Sequence, residues 1–327
     1  MTEKIDPEMA PILEAMRVAG PIDFAALPIA EARATFDGGA APWCALAPQV
    51  ANVEDLMLPG AVAPLRARPY RPAEGVLPLV IFLHGGGWTF GSLDTHESET
   101  RHLALASGAA VLAIEYRLAP EHPFPAPLDD VLAVIEAVQG GVLGDAIDPA
   151  WLALAGDSAG ANLALGALLA LRDAGGETAC CAVLYYGCFA PIFETESHRL
   201  WGGGAFGLSS ARMRWYWRNF LGGKPAPVHA TPLEADLAGL PPLYLVAAGC
   251  DPLHDDTLLL AERLKRAGVA HELETVPGVI HGFLRFASRL GVARQSLAAA
   301  SAFLTTHFKT STTTKSGRKE TWNAEHS

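Results

Sequence analysis

Apolar positions along the chain fall into short blocks separated by longer stretches with a helical period. Blocks at 79–83, 110–114, 151–155, 182–186, 243–247 and 272–276 have the length and apolar character of strands. Helical patterns follow or separate them at 126–138, 159–172, 255–267 and 292–307. Strands that alternate with helices predict βαβ units and a mostly parallel sheet covered on both faces. The fold class is therefore α/β, with functional residues expected beyond the carboxyl ends of the strands.

Three segments depart from this alternation. Residues 1–50, rich in Ala and Pro, carry short helical patterns at 11–18 and 29–36 and are expected to lie as an N-terminal helical cap over a catalytic domain of 51–308. Between 187 and 240 the stretches WGGGAFGLSS and RMRWYWRNFLGG have no strand period, and residues 190–225 are expected to form an inserted second part of the cap. The aromatic group Trp201, Phe206, Trp215, Tyr216 and Trp217 suits packing within that cap, with substrate contact as the alternative. From Lys309 to the end, KTSTTTKSGRKETWNAEHS is too polar to bury and predicts a disordered tail at 309–327.

Composition narrows the partners. Of 327 residues half are hydrophobic, enough for a sizeable core, and the net charge of −11 disfavours nucleic acid and anionic membrane surfaces. No uninterrupted apolar run reaches the ~18 residues of a membrane span, and the acidic first residues do not read as a secretory signal. Five cysteines, at 44, 180, 181, 188 and 250, are odd in number and lack CxxC spacing, which favours reduced thiols and argues against zinc. The expectation is a cytoplasmic protein whose partner is a small molecule.

The chemistry is carried by two glycine-rich turns. In WLALAGDSAGANLALG an apolar strand runs through Gly156-Asp157-Ser158-Ala159-Gly160 directly into a helix, the strand-turn-helix context of a nucleophile elbow. A serine hydroxyl needs a base, usually a histidine oriented by a carboxylate, and in such folds the acid and then the histidine follow the serine along the chain. Asp251, after the strand LYLVAAGC, and His281, after HELETVPG, satisfy both order and position. Asp255 and Asp256 lie a turn further on in a helix start, His254 would share the acid's loop, His271 begins its strand, and His307 falls late in the terminal helix.

The second turn, HGGGW after the strand at 79–83, supplies bare backbone where an oxyanion needs N–H donors. The oxyanion hole is assigned to Gly85, Gly86 and Ala159, with Gly87 as hinge or reserve, His84 fixing the loop and Asp157 bracing the elbow. In HESETRH, His96 and His102 are six residues apart and do not share a helical face as a zinc pair would, so metal is not expected.

Taken together and in order, FLHGGGWTFGSLDTH, YRLAPEHPFPAPLDD, LAGDSAGANLA, DPLHDD and HGF resemble the hormone-sensitive-lipase-like esterases of bacteria, in the GDSAG branch. The resemblance spans roughly residues 77 to 286. It implies an α/β-hydrolase fold with a helical cap, cofactor-free hydrolysis of a small ester substrate, and a triad of Ser158, Asp251 and His281. His254 stands where the family often has Arg, and a homodimer is compatible with the resemblance. The residues favour a serine carboxylesterase acting on short- to medium-chain esters. A non-catalytic receptor on the same fold and an amidase or lactonase using the same triad are the alternatives.

Overall fold

The computed structural model describes residues 5–176 and 179–325, with side chains through Phe308. Nine strands form one sheet: β1 (Asn52–Val53), β2 (Leu56–Leu58), β3 (Leu65–Arg71), β4 (Leu77–Leu83), β5 (Ala110–Ile114), β6 (Ile147–Asp157), β7 (Ala182–Tyr185), β8 (Leu243–Cys250) and β9 (His271–Ile280). Their order is β1-β3-β5-β4-β6-β7-β8-β9, with β2 also paired to β3. From β5 to β9 every neighbour is parallel, and the antiparallel pairs of the sheet, to β1, β2 and β5, all involve β3. The sequence blocks correspond to the parallel strands. The antiparallel edge escapes that reading because β3, LRARPYR, alternates buried and exposed positions instead of forming an apolar run.

Alternation along β4 splits the interior into two cores. Leu79, Ile81 and Leu83 face one, Val80 and Phe82 the other. The first is closed by α4 (Ala126–Gln139), α5 (Ala159–Asp173) and α8 (His254–Arg266), and the second by α3 (Glu97–Ser107) and α9 (Gly291–Glu325). α5 is buried at every position from Ala159 to Leu169 because it lies between the sheet and α4. Small residues make that burial feasible: a Cβ on Gly160 would fall on the carbonyl oxygen of Leu83 at the end of β4. α9 continues in helical backbone to Glu325, through the polar segment for which composition predicts disorder.

Helices form in both segments expected to make a cap. α1 (Ala10–Ala19) and α2 (Ile29–Cys44) precede the sheet, while α6 (Glu196–Trp201) and α7 (Ser210–Leu221) sit between β7 and β8. The Arg212 guanidinium lies 4.7 Å over the Phe24 ring and donates to the Ile22 carbonyl at 2.9 Å, joining α7 to the turn between α1 and α2. Phe24, Phe36 and Phe90 pack ring on ring at 5.0 and 5.2 Å, and Trp88 stacks on Phe220 at 4.0 Å. Arg33 of α2 grips Glu121 through two nitrogens and also donates to the carbonyls of Thr89 and Ala119. The cap aromatics divide: Trp217 and Phe220 are core, while Trp201 packs edge-on against Phe206 at 4.8 Å.

Gly160→Ala is expected to lower stability by more than the roughly 1–3 kcal/mol usual for overpacking, because backbone must move to admit the methyl group. Urea unfolding of the two proteins measures it, and an unchanged midpoint would contradict the contact.

Candidate active site

β6 ends at Asp157 and α5 begins at Ala159, which leaves Ser158 alone in the turn with φ 53° and ψ −115°. That left-handed backbone costs a serine on the order of 1–3 kcal/mol, so the surroundings must hold it. The Ser158 N–H donates to the Tyr185 carbonyl at 2.8 Å, and its own carbonyl accepts from Asn162 N–H at 3.2 Å. The result lifts the hydroxyl above the sheet, within reach of the later strand ends.

The structure brings Ser158, His281 and Asp251 together. His281 Nε2 lies 2.9 Å from Ser158 Oγ, and His281 Nδ1 lies 2.7 Å from Asp251 Oδ2. Asp251 is fully buried, and its other oxygen accepts the Leu253 N–H at 2.8 Å. Tyr186 presents its ring edge-on to the imidazole at 5.1 Å. With Nδ1–H given to the carboxylate, Nε2 is left to take the serine proton.

The other acids and histidines have structural partners instead. Asp256 accepts the Phe189 N–H at 3.2 Å and Asp255 the Ser197 N–H at 2.9 Å, so both tie the loop after β7 and the start of α6 to α8. His254 Nδ1 bonds the Ala248 carbonyl and His271 Nδ1 the Val269 carbonyl, each at 2.9 Å.

The glycine loop corrects one assignment. Gly85 N–H donates to Asp157 Oδ1 at 2.6 Å and also faces His96 Nε2 at 3.1 Å, so it is turned into the protein and is spent. Gly86 and Gly87, at φ 111° and 60°, have N–H groups without a hydrogen-bond partner among the described residues, as does Ala159 at the first turn of α5. The N–H groups that the loop leaves open are therefore those of Gly86 and Gly87, one residue on from the expected pair. Gly87 is no reserve: its Cα faces the Tyr216 ring of the cap so closely that a Cβ would overlap it. His84 does fix the loop, through Nδ1 to the Gly85 carbonyl at 2.8 Å and a 4.3 Å stack on Tyr116, whose hydroxyl donates to the His84 carbonyl.

Comparison with known proteins decides the family. A family model for the alpha/beta hydrolase fold matches residues 80–285. The chain belongs to the α/β-hydrolase family. Within it, the chain falls in the hormone-sensitive-lipase-like group. Carboxylesterase NlhH of Mycobacterium tuberculosis is 36% identical over 227 residues, 64% of this chain and 68% of its own. Ethyl acetate hydrolase of Pseudomonas putida is 32% identical over 312 residues, 90% of this chain and 96% of its own. Among solved structures, the hyperthermophilic esterase of the archaeon Pyrobaculum calidifontis superposes with a TM-score of 0.88 at 34% identity, covering 93% of this chain and 98% of that one.

Beneath the glycine loop this hydrolase buries a group of ionisable side chains: His84, His96, Glu99 and Asp157. Burial lowers His84 to about 4 and pushes His96 well below its ordinary value, so both rings are neutral. Burial raises Asp157 to about 6, although the Gly85 N–H pulls the other way, and raises Glu99 to about 8, with the Asp157 charge adding to the shift. His96, Glu99 and Asp157 place ligand-type atoms within 4.8 Å of one another. Across the 3.4 Å between His96 Nε2 and Asp157 Oδ1, however, both lone pairs face the Gly85 N–H, which stands where a cation would. This donor set suits a proton better than a metal. His102, the other histidine of HESETRH, bonds the Ser98 carbonyl of its own helix.

Sequence reasoning about this hydrolase missed α3 and, with it, Glu99. The first turn of α3 buries Ser98, Glu99 and Thr100, and a polar inner face leaves no apolar period to detect.

Asp157→Ala leaves the buried Gly85 N–H with only its longer contact to His96 Nε2 and is expected to lower stability by about 1–3 kcal/mol, whereas Asp157→Asn keeps an acceptor oxygen and loses less. Equal losses in urea unfolding would mean that this hydrogen bond is not what Asp157 supplies.

Proposed function

We propose that the protein is a serine carboxylesterase that cleaves short- to medium-chain esters through an acyl-enzyme. The observation that carries the reading is the continuous relay from Ser158 Oγ through His281 to the buried Asp251, set beside the unpartnered N–H groups of Gly86, Gly87 and Ala159. His281 takes the Ser158 proton as Oγ attacks the ester carbonyl, and Asp251 holds the imidazole in register and balances its charge. The three N–H groups donate to the oxyanion, each worth about 3 kcal/mol of barrier in comparable sites. Proton transfer from His281 to the alcohol oxygen releases the alcohol, and water then repeats the sequence on the acyl-enzyme.

The class of substrate follows from the relatives and the cap. One relative is an ethyl acetate hydrolase, and the cap segment crowds the glycine loop with Tyr216 against Gly87. Among the described residues no helix is long and apolar enough to cross a membrane. The odd cysteine count fits a reducing, cytoplasmic setting.

Hydrolysis of p-nitrophenyl acetate, butyrate, octanoate and palmitate should be fastest on the shorter chains, and Ser158→Ala should lose at least about a thousandfold in kcat without a change in melting temperature. Retained turnover in the variant, or a steady rise toward palmitate, would overturn the reading.

A homodimer is also proposed, through the outer edge of β9, which pairs only with β8 among the described residues. Sedimentation equilibrium should give about twice the 34.5 kDa chain mass, and a monomer at micromolar concentration would exclude it.

A further inference from the structure

Glu99 is a carboxylic acid in a place that has no use for an anion. It reaches from the first turn of α3 to the underside of the glycine loop and is 2% exposed. Its Oε1 lies 3.8 Å from His96 Nε2, beyond hydrogen-bond range, and its Oε2 has no hydrogen-bond partner among the described residues. The ionisable groups named around it among the described residues come from several elements that meet at the site. Asp157 arrives from the elbow, His96 from the N-terminus of α3, and His84, 5.3 Å from His96 ring to ring, from the end of β4. Tyr186 arrives from the end of β7, Cys44 from α2, and Arg285 from the turn after His281. Arg285 faces this set as a cation, and its guanidinium lies over the Phe36 ring at 5.1 Å.

We propose that Glu99 is a positioning residue that supports ester hydrolysis only while protonated: its neutral carboxyl, buried beside His96 and Asp157, leaves their hold on the Gly85 N–H undisturbed under the oxyanion donors, and its anion disables them. The inference rests on the esterase reading above. When Glu99 ionises, the proton leaves to solvent and a second negative charge stands beside Asp157 in a dry interior, where neither is screened. Two anions then compete for the Gly85 N–H and for Arg285, and the loop that carries Gly86 and Gly87 is pulled at its root. The same charge opposes the oxyanion that forms above the loop. The coupling is reciprocal, since whatever the Glu99 anion costs the oxyanion, the oxyanion costs the ionisation of Glu99.

The sign for stability is fixed by the same ionisation. Glu99 holds its proton in the folded chain up to about 8, well above the ordinary carboxyl range. Its contribution to stability is full at acid pH and is lost as the pH rises through that value.

The test compares the wild type with Glu99→Gln, the neutral isostere, by kcat/KM on p-nitrophenyl butyrate corrected for spontaneous hydrolysis, and by melting temperature, both from neutral pH to about pH 10. The wild type should lose roughly tenfold in kcat/KM as Glu99 ionises, with its melting temperature falling from neutral pH up to that ionisation and levelling above it, while the variant shows neither loss. Parallel alkaline losses in both proteins, no alkaline loss in the wild type, or a Glu99→Gln chain that does not fold would each overturn the proposal. Absence of turnover on any ester at any pH would count against the esterase reading instead, and the melting curves would still judge whether Glu99 carries a proton.

Discussion

The close approach of α5 to the end of β4 is the constraint on which the site depends. Gly160 lies so near the Leu83 carbonyl that the helix behind the nucleophile and the strand before the glycine loop share one atomic layer. That contact sets the distance between Ser158 and the donors at Gly86 and Gly87. It also forces the elbow: a helix that begins this close to the sheet leaves one residue to turn the chain, and Ser158 takes the left-handed conformation in doing so. The strain is offset by hydrogen bonds on both sides of the serine and by a helix that buries eleven consecutive residues.

Electrostatics divides the site into two halves. Above the sheet, Asp251 and His281 are joined by a short hydrogen bond and open toward the serine. Below the glycine loop, burial keeps the rings of His84 and His96 neutral and favours the protonated form of Glu99. Asp157 is where the halves touch, because it ends β6, precedes the nucleophile and holds Gly85.

How legible this was in the sequence depended on whether a residue's role was written in apolar pattern, in motif or in packing. Parallel strands such as LPLVIFL are continuous apolar runs and were readable, as was the elbow, whose glycines are dictated by contacts that repeat wherever a strand meets a helix this tightly. The order of Asp251 and His281 after Ser158 followed from strand ends. Which glycine N–H turns outward did not, because it depends on Asp157 capturing Gly85, a contact between residues 72 apart. Helix α3 was hidden for the opposite reason, since its inner face is polar where a pattern search looks for apolar residues.

Arg33 connects regions that the sheet does not. One guanidinium clamps Glu121 and the carbonyls of Thr89 and Ala119, so the second helix of the chain is fastened to the loop that bears the oxyanion donors. The opposite wall, α7, reaches the same loop through Tyr216 at Gly87 and reaches the N-terminal segment through Arg212 and Phe24. Two segments far apart in sequence thus close a ring around one turn of backbone without touching the strand pairing. Such an arrangement lets the entrance be reshaped, residue by residue, without disturbing the parallel sheet that fixes the reacting groups.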